Sequence, residues 1–80
     1  MNRFETLREI MALTFEVPEP AITPETAQAD CPKWDSLAHL NLMLALEDAF
    51  GLRLSVEEIR RLTSVPAILA HLDGAGAAGG

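Results

Sequence analysis

Cysteine is almost absent: Cys31 stands alone, so neither an internal disulfide nor a cysteine-based zinc cluster can form. It is expected to be a small loop residue, with a redox or regulatory role as the rival reading. Basic residues are scarce, six Lys and Arg against twelve Asp and Glu, for a net charge of −6. That balance opposes the phosphate neutralisation on which nucleic-acid binding depends and points instead to protein partners with basic surfaces. No apolar run approaches the roughly 20 residues of a membrane span. Met1-Asn2-Arg3-Phe4-Glu5 mixes acid and base where an export signal would place a basic segment and then an apolar one. The expectation is a cytoplasmic monomer without membrane insertion. With 80 residues, one domain hides only about 60% of its unfolded surface, leaving a modest core and little room for a substrate cavity.

What is present is organised around Lys33-Trp34-Asp35-Ser36-Leu37-Ala38-His39-Leu40-Asn41-Leu42. The chain leaves a proline-broken loop here and enters a helix predicted over Asp35 to Phe50. Asp35 is a good N-cap, and Pro32 keeps the chain from turning helical earlier. Gly51 suits the left-handed position past the end, with Leu52 folding back onto Leu46. At about 100° per residue, Ala38, His39, Leu42, Met43, Ala45, Leu46, Ala49 and Phe50 share one broad core face. Leu37, Leu40 and Leu44 fall beside Ser36 on the other face, bordered by Asn41, Glu47 and Asp48. These leucines are more than a one-sided helix needs. Either the helix is buried all round, or the stripe is a docking surface next to the serine.

Elsewhere, Phe4, Leu7, Ile10, Met11, Thr14 and Phe15 recur at helical spacing, and Asn2 with Glu5 can form a capping box. A helix is predicted over about residues 3 to 16, ended by Val17-Pro18-Glu19-Pro20. The connection to Asp35 is longer than most compact domains contain and must be pinned. Ile22 and Ala27 are the expected anchors, and Thr23-Pro24-Glu25 could start a single helical turn. After Gly51, Ser55 and Glu58 form a capping box with Leu54 and Ile59 as a hydrophobic staple, giving a short third helix. Arg61 would pair with Glu57 four residues earlier. Ser64 caps a fourth helix whose buried side is Ile68, Leu69 and Leu72, and which ends near Asp73. Residues 1–73 are read as the domain and 74–80 as a disordered Gly/Ala tail.

A hydrolase built on Ser36 and His39 fails on the pattern. No glycine-rich elbow surrounds the serine, no oxyanion hole is evident, and His39 projects toward the core as a partly buried packing residue. His71 reads as a cation near a helix C-terminus or a surface residue. By local pattern alone, Ser36 could merely help Asp35 to cap the helix.

Asp35-Ser36-Leu37, followed by Leu40, Leu42, Leu46 and Glu47-Asp48-Ala49-Phe50-Gly51, resembles the acyl carrier proteins. The likeness spans nearly the whole chain and includes the distance to the serine and the Thr63-Ser64-Val65 start of the last helix. It implies an all-α, right-handed up-down bundle of four helices, three principal and one short, with a long loop between the first two. It also implies that Ser36, flanked by Asp35 and Leu37, carries a 4′-phosphopantetheine arm derived from coenzyme A, whose thiol holds an acyl intermediate as a thioester. Such a chain is a carrier and no enzyme. Its partners would be a phosphopantetheinyl transferase and acyl-loading and acyl-transferring enzymes, docking on Leu37, Leu40, Asn41, Leu44, Glu47 and Asp48. The helix start also suits a phosphodiester, since free N–H groups and the macrodipole favour negative charge there.

Ala38 and Asn41 stand where that family commonly has acidic residues, and Arg53, Arg60 and Arg61 add positive charge. These departures turn the expectation from housekeeping fatty-acid synthesis toward a specialised lipid or polyketide-like pathway. A peptidyl or aminoacyl carrier and a non-carrying helical interaction module are the alternatives. Trp34 is expected to cover the loop base, or else to touch the arm or a partner.

Overall fold

The computed structural model describes the backbone from Arg3 to Gly79 and side chains from Arg3 to Gly74. Among these residues the chain forms four α-helices and no strand: α1, Arg3–Phe15; α2, Ser36–Phe50; α3, Val56–Arg61; and α4, Val65–Gly79. This is the all-α fold expected. None of these helices is long and apolar enough to cross a membrane. The predicted Asn2 cap lies outside the described residues.

α1 buries Leu7, Met11, Ala12 and Phe15, the i, i+4, i+8 row of an amphipathic helix. It ends without glycine. Glu16 takes the left-handed conformation, φ 57°, and Val17 N–H reaches back to the Ala12 carbonyl at 3.1 Å, a Schellman ending on a side chain that pays for it in strain. Glu16→Gly should therefore raise stability by about 0.5–1 kcal/mol after the entropic cost of glycine is subtracted. Thermal unfolding should show a melting temperature a few degrees higher, about 2–8 °C.

The long connection is pinned, though not as the sequence suggested. Its single-turn helices are 3-10 turns at Glu19–Ala21 and Gln28–Asp30, whereas Thr23-Pro24-Glu25 forms a tight turn closed by Thr26 N–H on the Thr23 carbonyl at 3.1 Å. Ile22 is buried as expected. Ala27 anchors through backbone. It forms an isolated antiparallel bridge with Ser64, in which Gln28 N–H donates to Thr63 O at 2.9 Å and Val65 N–H to Thr26 O at 2.8 Å.

α2 packs on α1 and buries His39, Leu42, Met43 and Leu46. Ala38, Ala45 and Phe50 are half-buried, while Ala49, expected in the core, is exposed. It lies at the edge of the apolar arc, one residue from the end of the helix, and is left exposed. Gly51 adopts φ 62° and ψ 42°, as the stop signal required, and Leu52 N–H bonds the Glu47 carbonyl at 3.1 Å.

α3 starts with the complete Ser55–Glu58 capping box, at 2.8 and 3.1 Å. The Ser55 N–H, first among the causes, holds the Glu58 carboxyl below the usual carboxylate range; burial opposes this, and the Ser55 hydroxyl, His71 and Arg61 add to it. The lowered folded value means that this cap contributes fully above the ordinary carboxylate range and is lost as pH falls through the lowered value. The side-chain ion pairs among the described residues are Arg3–Asp73, Arg8–Glu19 and His71–Glu58. The expected Arg61–Glu57 pair is not formed.

α4 is capped by Ser64, whose hydroxyl accepts from Ala67 N–H at 3.2 Å. Val65, Ile68 and Leu72 are buried and Leu69 is half-buried. The helix does not stop near Asp73 but runs to Gly79, since alanines separate the glycines and no proline intervenes. The expected disordered tail falls mostly on residues whose side chains lie outside the described set, and Gly80 lies wholly outside it.

Candidate functional site

Ser36 is the first residue of α2 and is exposed. Asp35, extended at φ −89° and ψ −173°, turns the chain into the helix, and its carboxylate accepts from Ala38 N–H at 2.8 Å. The Asp35 carbonyl then takes His39 N–H at 2.8 Å. Asp35 alone makes the cap: the Ser36 hydroxyl and the N–H groups of Ser36 and Leu37 have no protein partner among the described residues. A phosphodiester on Ser36 thus fits this helix start. Two unpaired N–H donors and the positive end of α2 face it, and solvent screens it from the Asp35 carboxylate.

The leucine stripe divides from the core, so α2 is not buried all round. Leu37, Leu40 and Leu44 are 68%, 51% and 64% exposed, against 0–1% for Leu42, Met43 and Leu46 on the opposite face. Asn41 and Asp48 are exposed along the stripe. Glu47 is half-buried and is already employed: its carboxylate accepts from Leu54 N–H at 2.8 Å, holding the turn between α2 and α3. That tie was invisible in the sequence because Glu47 sits at a helix-surface position with acidic neighbours. Leu44, Glu47, Asp48, Leu52 and Arg53 line one open depression beside the stripe, so Arg53 offsets part of the acidic charge there.

Behind the serine, Trp34 is 2% exposed and stacks on Phe15 with ring centroids 5.3 Å apart. It covers the loop base, as expected. Its indole N–H donates to His39 Nδ1 at 2.9 Å, and His39 Nε2 lies 2.6 Å from the Ile59 carbonyl. An indole can only donate and a carbonyl can only accept, so this geometry requires the neutral Nε2–H tautomer. Both imidazole nitrogens are committed to structure, and the Ser36–His39 pair of a hydrolase is not made. Cys31 is a half-buried free thiol in the loop. His71 lies 3.7 Å from Glu58, tying α4 to α3 rather than standing alone. No group of three His, Cys, Asp or Glu side chains among the described residues is placed to hold a metal ion.

Comparisons with known proteins give the same answer from another direction. The family described as "Phosphopantetheine attachment site" matches residues 5–72. An acyl carrier protein of Streptomyces coelicolor is 39% identical over 75 residues, 92% of this chain and 82% of that protein. One from Rubrobacter xylanophilus is 35% identical over 68 residues, 81% of this chain and 84% of its own length. The acyl carrier protein AcpXL of Brucella melitensis is 34% identical over 57 residues, covering 71% and 61%. With a capped helix opening on an exposed serine inside the matched span, the chain belongs to the acyl carrier proteins, the family whose members bear a covalent 4′-phosphopantetheine.

Proposed function

We propose that Ser36 is the attachment point of the arm, and that the chain presents an acyl thioester to enzymes of a specialised lipid or polyketide-like pathway in the cytoplasm. One observation carries the assignment: Ser36 is an exposed serine at the first position of α2, and among the described residues its hydroxyl is unpaired and two N–H groups beside it are free. In the loading step the Ser36 oxygen bonds to the phosphorus of the pantetheine phosphate, the pyrophosphate bond of coenzyme A breaks, adenosine 3′,5′-bisphosphate leaves, and the transferase takes the hydroxyl proton. The arm supplies the thiol. This chain supplies an accessible hydroxyl and a surface to recognise, so it needs no base of its own.

Leu37, Leu40 and Leu44, with Asn41 and Asp48 beside them, form the docking surface in this reading. Their exposure, opposite the buried Leu42, Met43 and Leu46, supports it. Asp48 steers basic partners, while Glu47 serves chiefly by shaping the α2–α3 turn. The modest acidity of this face favours a specialised partner set. In this reading the carrier unit is residues 1–73, and removing 74–80 should leave loading intact even though α4 runs on to Gly79. Incubation with a phosphopantetheinyl transferase and coenzyme A should add the mass of one phosphopantetheinyl group per chain. No mass gain in the wild-type protein would overturn the proposal.

A further inference from the structure

We infer that His39 is a positioning residue: with Trp34 and the Ile59 carbonyl it latches α3 to the start of α2, so that the transferase meets Ser36 on a rigid, already assembled surface. This rests on the reading of Ser36 above. The argument starts from α3, which has only six residues, none of them fully buried, and is far shorter than the roughly 12–15 residues at which isolated helices become marginal in water. It must be held from outside. Its last turn leaves a carbonyl without a helical partner, because Thr63 N–H, which a continuing helix would send to Ile59, goes to Arg61 O instead at 2.9 Å. His39 Nε2–H fills that vacancy at 2.6 Å.

The other side of the same imidazole accepts from Trp34 at 2.9 Å. Trp34 in turn stacks on Phe15 at the end of α1, and Asp35, which caps α2, follows it directly. One ring therefore ties together the end of α1, the approach to Ser36, α2 and α3. His39 is 8% exposed and Trp34 2%, so water cannot substitute at either nitrogen without opening the core. Losing the latch frees α3 and loosens the Trp34–Asp35 approach together. A transferase binding the loosened protein must first select the assembled state, and its apparent affinity falls by the fraction assembled.

The test compares wild type with His39→Gln, His39→Leu, Trp34→Phe and Ser36→Ala. Nitrogen-15 spectra of the imidazole should report the Nε2–H tautomer in the wild-type protein. In His39→Leu, amide exchange across Val56–Arg61 should accelerate and the fluorescence of Trp34 should change. The transferase KM for this variant should rise roughly three- to tenfold with kcat unchanged. His39→Gln, which keeps an acceptor and a donor, should recover part of the KM. Trp34→Phe keeps the stack on Phe15 but not the N–H, and should raise KM less than His39→Leu. An Nδ1–H tautomer in the wild type, unchanged α3 exchange in a folded His39→Leu, or an unchanged KM would each overturn the latch. Should His39→Leu not fold, the tautomer and Trp34→Phe decide. If the wild type takes up no arm, or Ser36→Ala still does, the Ser36 reading fails instead; the tautomer and exchange results still decide whether α3 is latched.

Discussion

Ser36→Ala is expected to abolish phosphopantetheinylation completely while leaving the melting temperature within about 2–4 °C of wild type. The two halves of that result come from one geometry. The Ser36 hydroxyl bonds nothing among the described residues, and the N-cap is made by Asp35, so removal of the hydroxyl costs stability only within about 0.5 kcal/mol, as for other unengaged surface groups. Alanine at the first helical position is a good helix former. Other serines cannot take over, because Ser55 and Ser64 are both engaged as caps, with their oxygens on Glu58 N–H and Ala67 N–H. Intact mass before and after treatment with transferase and coenzyme A provides the first readout, thermal unfolding the second. A modified Ser36→Ala protein would place the arm elsewhere.

The second large effect separates the two faces of α2. Leu46 is 1% exposed, and Leu46→Ala should destabilise by roughly 2–5 kcal/mol through lost transfer energy and a residual cavity. In a domain this small that lowers the melting temperature by more than about 10 °C. Leu40→Ala and Leu44→Ala remove side chains already more than half in water and should cost little stability. They should instead slow transfer to and from partner enzymes, since full burial of each leucine at an interface contributes about 1.5–3 kcal/mol. Phe50→Ala should fall between, because Phe50 is half-buried. Melting curves and loading kinetics on the four variants give the comparison. If Leu40→Ala or Leu44→Ala melts as low as Leu46→Ala, the stripe is core and the docking surface lies elsewhere.

The parts of this architecture that were legible in the sequence are those written in local chemistry. Asp35, Gly51, Ser55 with Glu58, and Ser64 each act within a turn of their own position, so the starts of α2, α3 and α4 and the end of α2 could be read from residue type and spacing. The separation of Leu42 and Leu46 from Leu37, Leu40 and Leu44 follows from helical periodicity alone. What could not be read depends on partners distant in sequence or on backbone groups, which carry no residue signature. Ala27 anchors the loop through main-chain bonds that any residue could make. The α1 ending rests on Glu16, a residue with no preference for φ 57°. Glu47 looked like one more surface acid until its contact with Leu54 N–H was seen. His39 was legible as a buried residue, but its role depends on an indole five residues earlier and a carbonyl twenty residues later. Arg61 was assigned to Glu57 by helical spacing, yet the carboxyl whose charged form it favours is that of Glu58.

The bridge between Ala27 and Ser64 also governs the order in which the site is completed during synthesis. Helix contacts are mostly local and form early, whereas pairing Thr26 and Gln28 with Val65 and Thr63 closes a circuit of chain that contains α2 and α3, and such nonlocal closures come late. The segment leading into Ser36 gains this one tie only once Val65 has left the ribosome. On the proposed reading of Ser36, a transferase that needs the finished surface meets it only after Val65 has emerged and the bridge has closed.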